Sequence, residues 1–336
     1  MKNQTRTWGK RSTIAFLSVL VGIFAGSISY ADPVTHTITE ANTDWTSAGV
    51  GGAGTGSGTV NLSGISGSVE TARLYWHGIG DPYNNANVSI NGNAVTGTVI
   101  GTASSNCWGR QNSAAYQADV SAFVSGDGAY AITGMIANGG SSNGASIVVT
   151  FNDGNALNNR DLAFFEGNDS SSPEGFPGED VGWHATLTPI NYDGSGTVNM
   201  QFHMGDGQDF DDDSITLSTS NGNIVIPDDG TLWDGFSVPD EGNGRDGALW
   251  DIHTFDITSA FGGVAGSGIS LDLDGQDNSG DCLGLVLALV DFPPGSIEPV
   301  EPQEPVLVPT LSNWSLILMA AMLALLGVFA HRRLKA

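Results

Sequence analysis

Between residues 57 and 292 short apolar runs alternate with clusters of Gly, Asn, Ser, Thr and Asp, and no long segment there repeats at helical spacing. The runs predict strands over 59–62, 72–76, 87–90, 129–133, 146–151, 162–165, 185–188, 198–203, 214–218, 252–257, 269–273 and 283–290. So many short strands predict an all-β protein built from one or two jelly-roll-like β-sandwiches. Two longer apolar stretches interrupt this pattern, one at each end of the chain.

At the front, Lys2, Arg6, Lys10 and Arg11 precede an apolar stretch over 13–28, and Ser29 and Ala31 are small residues just before Asp32. This predicts a secretory signal peptide over 1–31, cut between Ala31 and Asp32; an uncleaved anchor is the alternative. At the back, 312–330 carries no charge, near the ~20 residues that a helix needs to cross ~30 Å of hydrocarbon. Arg332, Arg333 and Lys335 follow it, and Trp314 stands at its start. By the positive-inside rule a single transmembrane helix here leaves the bulk of the chain outside. A buried core helix would instead be amphipathic, and this run is apolar all round.

The order of motifs between these ends repeats. A strand ending at Trp76 leads to Val88, Ser89, Ile90 and an Asn91-Gly92 turn, then Asp119-Val120-Ser121-Ala122-Phe123, then Ile147-Val148-Val149. The second half runs through Phe202 and His203, Ile215 to Leu217, Asn221-Gly222, Asp256-Ile257-Thr258-Ser259-Ala260-Phe261, and Leu285-Val286-Leu287. The spacing from Asp119 to Ile147 is 28 residues and that from Asp256 to Leu285 is 29. A diverged duplication explains matching order and spacing together, with modules over 32–180 and 181–292. Asn-Gly suits a tight hairpin, and Asp119 can cap the turn that follows it. After Phe292 six prolines fall between 293 and 309 beside Glu298, Glu301 and Glu304. That composition predicts an extended stalk over 293–308 reaching ~50 Å.

Charge narrows the partners. All 36 acidic residues lie between Asp32 and Glu304, against four arginines there (Arg73, Arg110, Arg160 and Arg245), leaving a formal charge of −32. Such a field repels nucleic acid; it suits either solubility in a salty exterior or the attraction of divalent cations. Asp206, Asp209, Asp211, Asp212 and Asp213 crowd one loop, and Asp272, Asp274, Asp277, Asn278 and Asp281 another. Closely spaced hard oxygens are what calcium takes, yet Asp, Asn and Gly are also ordinary turn residues, so a calcium site and a solvated acidic turn both remain open. Two cysteines, Cys107 and Cys282, are an even count for an oxidising compartment and predict a disulfide. For sugar stacking the candidates are Trp108 and Trp233, set among Gly, Asn and Asp, whereas Trp76 ends an alternating strand and reads as core.

Catalysis finds little support. No nucleophile elbow, HExxH helix or phosphate loop occurs, and His36, His77, His184, His203 and His253 stand singly, as strand or core histidines do. Glu166, Glu174 and Glu179 read as a Gly, Ser and Pro-rich loop. The chain is expected not to be an enzyme.

The tail itself has a specific pattern. Val308, Pro309, Thr310, Leu311, Ser312 and Trp314, followed by the apolar run and Arg332 and Arg333, resemble the IPTL-CTERM sorting signal, with Val308 for its Ile and Ser315 for its Gly. The resemblance implies recognition by an exosortase-type transpeptidase. The order of Leu74-Tyr75-Trp76, the Asn91-Gly92 hairpin, the Asp119 segment and the 144–151 strand also resembles galactose-binding-like jelly-roll modules of bacterial surface proteins. Together these imply an exported, membrane-tethered structural or adhesive protein of the cell surface or matrix. The alternative is a calcium-assisted module binding extracellular polysaccharide.

Overall fold

The computed structural model describes residues 32–103, 108–136, 140–170, 183–208, 214–226, 232–239, 249–262, 269–275 and 282–297. The expected signal peptide, most of the stalk, the sorting motif and the apolar run 312–330 lie outside these residues, as do Cys107, Asp209, Asp211, Asp213 and Asp277. Seventeen strands are described: β1 (Asp32–Gly51), β2 (Ser57–Leu62), β3 (Ser68–Gly80), β4 (Asn87–Ile90), β5 (Asn93–Thr96), β6 (Thr98–Ala103), β7 (Asn112–Asp119), β8 (Gly128–Thr133), β9 (Ser141–Asn152), β10 (Arg160–Ser170), β11 (Trp183–Ile190), β12 (Asn199–Gly205), β13 (Ile215–Thr219), β14 (Gly222–Ile226), β15 (Trp250–Asp256), β16 (Ile269–Gly275) and β17 (Gly284–Phe292). The expected all-β class is what the chain adopts.

Hydrogen bonding links the strands into three sheets. Nine follow the order β15-β12-β17-β10-β1-β9-β3-β7-β6, four the order β11-β16-β13-β14, and four the order β2-β8-β4-β5. Side-chain alternation shows how they stack. On β3, Leu74 and Trp76 enter a core shared with Val60, Ile90 and Ile132 of the small sheet β2-β8-β4-β5. On β12, Phe202 and Met204 enter a second core with Ile215, Leu217 and Ile226 of the other small sheet. These are two β-sandwiches.

The opposite faces of the large sheet form a third apolar layer. Tyr75, Ala115 and Val148 from one side meet Leu162, Phe164, Trp250, Val286 and Leu289 from the other. The two sandwiches therefore stand back to back, and the inner strands are buried on both faces. That explains why β17 and the 147–151 part of β9 read as near-continuous apolar runs.

β1 makes the turn between them. Its first part, Asp32 to Thr43, pairs with β10, and Asp44 to Gly51 pairs with β9. Asn42 sits at the switch with φ of 57°, a conformation that asparagine tolerates better than most residues. Its N–H donates to Asp161 Oδ1 at 2.9 Å, and Asn159 Nδ2 donates to its carbonyl at 2.8 Å.

Both sandwiches have one strand order. β10-β17-β12-β15 over β11-β16-β13-β14 corresponds, strand for strand, to the Asp44–Gly51 part of β1 with β9, β3 and β7 over β2-β8-β4-β5, leaving β6 as an addition to the first. Details match as well. Ser121 N–H and Oγ donate to Asp119 Oδ1 at 2.9 and 2.6 Å, and Thr258 N–H and Oγ1 donate to Asp256 Oδ1 at 2.9 and 2.5 Å. Ser121 Oγ also accepts from Ala72 N–H, and Thr258 Oγ1 from Val198 N–H, both at 2.9 Å.

Five strands were not predicted from the pattern: β1, β5, β6, β7 and β14. β7 is Ala- and Ser-rich, yet four successive residues, Ser113 to Tyr116, are buried. Small side chains suit a strand crowded from both sides, and they leave little hydrophobic signal. β10, which the sequence reading assigns to the first module, pairs with β17 of the second sandwich. Glu166 lies on β10 instead of in a loop, buried, and accepts from Tyr75 Oη at 2.5 Å and Thr37 Oγ1 at 2.6 Å.

The two turn-capping aspartates allow a direct check. Asp119→Ala and Asp256→Ala should each lower the unfolding free energy by about 1 kcal/mol, the usual worth of such a cap. They share no partner, so urea melts of the double variant should give the sum within about 0.5 kcal/mol.

Candidate functional site

The seam between the sandwiches concentrates the buried polar chemistry of the described residues. Two histidines mark it, His77 on β3 and His203 on β12, both with no exposed surface. They are equivalent positions. Arg73 faces Asp119 and His77 faces Ala115, while Asn199 faces Asp256 and His203 faces Ile252, so the same register step separates each histidine from its capped turn.

Their surroundings differ. His203 Nδ1 meets Ser146 Oγ at 2.7 Å, and its Nε2 meets Gln201 Oε1 at 2.8 Å. Gln201 Nε2 donates to Thr254 Oγ1 at 2.9 Å, which leaves Oε1 as the acceptor and assigns the ring proton to Nε2. The neutral ring is then satisfied at both nitrogens. His77 Nδ1 lies 2.9 Å from Asn143 Oδ1, and Asn143 Nδ2 donates to Asp206 Oδ1 at 2.7 Å. Asp206 also accepts from Trp108 Nε1 through Oδ2. Among the described residues His77 Nε2 and Asn168 Oδ1 make no well-aligned hydrogen bond, and both face Gly284, whose added Cβ would lie 3.4 and 3.8 Å from them.

Burial holds both rings neutral. It lowers His77 to about 4, against the upward pull of Asn143 and Asn168, and His203 to about 3. The same burial, helped by Glu166, pushes the Tyr75 hydroxyl well above its usual value. Ser146 and His203 have a nucleophile-and-base distance, and both are fully buried between sheets. Their bonds join β9 to β12 across the seam.

A cavity of about 270 Å³ reaches the seam where β1 passes β12 and β15, lined by Ser47, Gly49, Asn61, Gln201, Ser237 and Ile252 among others, with no charged side chain among the described residues of its wall. Phe236, beside Ser237 in sequence, is 66% exposed.

The residues singled out from sequence fare differently. Trp76 is core, stacked on Tyr116 at 5.4 Å. Trp233 is not an exposed stacking surface: it is 1% exposed, wedged edge-on against Phe202 and His253. Glycine-rich surroundings suggested exposure, but the fold closes over the indole. Trp108 is half-buried, tilted against His77 at 6.1 Å and tied to Asp206. Asp206 itself is buried with φ of 72°, and both its oxygens accept from side chains. Asp272 and Asp274 fall on β16, opposite Thr186 and His184, and nothing further is described of their side chains. Cys282 lies two residues before β17. Asn143, Gln201 and the histidine pair were missed as a group; a common offset of His77 and His203 in the repeat was the available signal.

A family model for the IPTL-CTERM motif matches residues 308–333. The comparison with curated proteins gave no match. The motif implies a cell-surface protein with a C-terminal sorting signal processed by an exosortase-type enzyme. Among the described residues no helix is long and apolar enough to cross a membrane, and the 312–330 run lies outside them.

The histidine pair sets a pH response. Unfolded histidine takes up a proton below about 6.5, whereas the folded rings stay neutral down to about 4 and about 3. The unfolded state therefore binds more protons in that window, and stability falls as pH drops, by up to about 1.4 kcal/mol per unit for each ring. Asp119, Asp153, Asp193 and Asp256 are held below the usual carboxylate range by their hydrogen bonds, so their contribution is lost only at lower pH. Chemical unfolding measured from pH 7 to 4.5 should show the slope, and His203→Gln should flatten it. A flat profile in the parent protein would contradict the assignment.

Proposed function

We propose that this is an exported, membrane-tethered surface protein, released to the cell surface or matrix by an exosortase-type enzyme, in which the double sandwich is a structural or adhesive body and not a catalyst. The IPTL-CTERM match at residues 308–333 carries this reading. The body supports it: the polar groups of the seam are spent on joining two sandwiches, and the described exterior strands belong to compact β-layers. A disulfide between Cys107 and Cys282 belongs to the same proposal. Trp108, next to Cys107, bonds to Asp206, and Gly205 beside it pairs with Gly284, two residues from Cys282. A bridge closing so long a loop stabilises by about 4 kcal/mol or more in the chain-entropy model.

Mass spectrometry of surface protein, digested without reduction, tests both parts. The expected spectra lack the 312–336 segment in cells holding the processing enzyme and contain a peptide pair joined through Cys107 and Cys282. Intact tails on all surface copies, or freely alkylated cysteines, would refute the corresponding part.

The neutral cavity at β1, β12 and β15 favours a second reading, a binding module for uncharged sugars of extracellular polysaccharide. Uncharged hydroxyl and amide walls suit sugar hydroxyls, and Phe236 offers an exposed ring face nearby. Glycan-array binding should then fall about tenfold in Phe236→Ala, the loss expected for one stacked ring. Calcium would be added and chelated in parallel, so that calcium-assisted binding and calcium-independent binding are told apart.

A further inference from the structure

Where the chain leaves the body toward the sorting signal, one buried carboxylate holds it. Asp161, 1% exposed, accepts through Oδ2 from the backbone N–H of Gly295, Ser296 and Ile297 at 2.7, 2.9 and 3.3 Å. Its Oδ1 accepts from Asn42 N–H at 2.9 Å. The neighbouring Arg160 guanidinium pairs with Asp291 Oδ1 at 2.7 Å and also donates to the carbonyls of Asp291 and Thr197. Asp44 holds the corresponding place in the first sandwich, facing Phe151 as Asp161 faces Phe292. It takes a single backbone N–H, that of Asp153 at 3.2 Å. The grip is elaborated only where the chain runs on to the tail.

Strand direction adds the second observation. β1 and β17 point the same way with antiparallel β10 between them: Asp32 faces Asn168 at one end, and Phe292 faces Asp161 at the other. β17 is buried at every position and paired along both edges, with β10 and β12. Ladder hydrogen bonds lie across the strands. Tension drawn out through the tail, against a hold toward the Asp32 end, therefore loads all pairs of β17 together in shear. Peeling, by contrast, breaks one pair at a time.

From the grip and the strand directions we infer that the body is a tension-bearing link. β17 is its loaded strand, and Arg160 with Asp161 keeps the tail from peeling that strand at its C-terminal end. The inference rests on the proposal that the tail is the point of attachment, but its mechanical content is measurable without cells.

Single-molecule pulling on the full chain compares two directions in one fold. In the first, handles are placed at the N-terminus and after Ala336, which loads β1, β10 and β17 in shear. In the second, one handle moves to Leu157→Cys, a site 96% exposed in the loop before β10 and at the Phe292 end, so that β10 and β17 unzip. The rupture force should be at least about twofold lower in the second direction, because one pair and not a whole ladder bears the load. Asp161→Asn should weaken the first direction by a larger factor than it raises the unfolding rate in denaturant. Equal forces in both directions, or an Asp161→Asn effect no larger under tension than in denaturant, would overturn the inference. Failure of surface attachment in cells would overturn the proposed function and leave the force measurement standing.

Discussion

The large sheet closes a sandwich core with one face of each half and carries apolar side chains on the other, and here the two sandwiches cover those second faces with each other. A polar atom buried in that contact costs free energy unless the protein supplies a partner. Glu166, Gln201, Asn143, Ser146 and His203 meet that demand, and His77 does so at Nδ1, with bonds that cross from one sandwich to the other or brace those that do. Ser47 donating to Gln201 at 2.7 Å and Tyr75 donating to Glu166 tie β1 and β3 to the second sandwich in the same way. An apolar seam would associate in many registers; these directional pairs leave one.

A near-twofold arrangement with unequal polar residues follows from the same constraint. His77 and His203 occupy one position in two copies of a strand order, yet His203 is satisfied by a serine and a glutamine and His77 keeps a nitrogen without a well-aligned hydrogen bond among the described residues. Asp44 and Asp161 repeat the lesson at the strand entrance, with one backbone donor against four. A single β1 that bends at Asn42 serves both sandwiches, so the copies cannot be interchanged.

The scarce cations of an acidic exterior are placed where they count. Arg73 pairs with Glu40 and lies over the Phe164 ring at 5.0 Å, and Arg160 pairs with Asp291, which also accepts from Trp45 and Asn199. Both sit at or beside the seam, where partial burial makes an ion pair worth more than on the surface and makes the loss of one partner costly. Arg110 with Asp81 is the exposed exception, and its guanidinium holds that carboxyl below the usual range.

Local chemistry was legible from the chain alone. Alternating short runs determined an all-β class, the Asp-capped turns at Asp119 and Asp256 could be read because Asp and Ser bond within two residues of each other, and the tail motif at 308–333 is a contiguous pattern. What needed the tertiary structure was whatever depends on a face and not on a sequence position. Trp233 and Trp108 lie in similar Gly- and Asp-rich surroundings, but only packing against Phe202 and His253 buries the first. Glu166 looked like a loop residue because its partners, Tyr75 and Thr37, are 91 and 129 residues away. The back-to-back seam was equally invisible, since a strand buried on both faces shows that it is covered without showing what covers it.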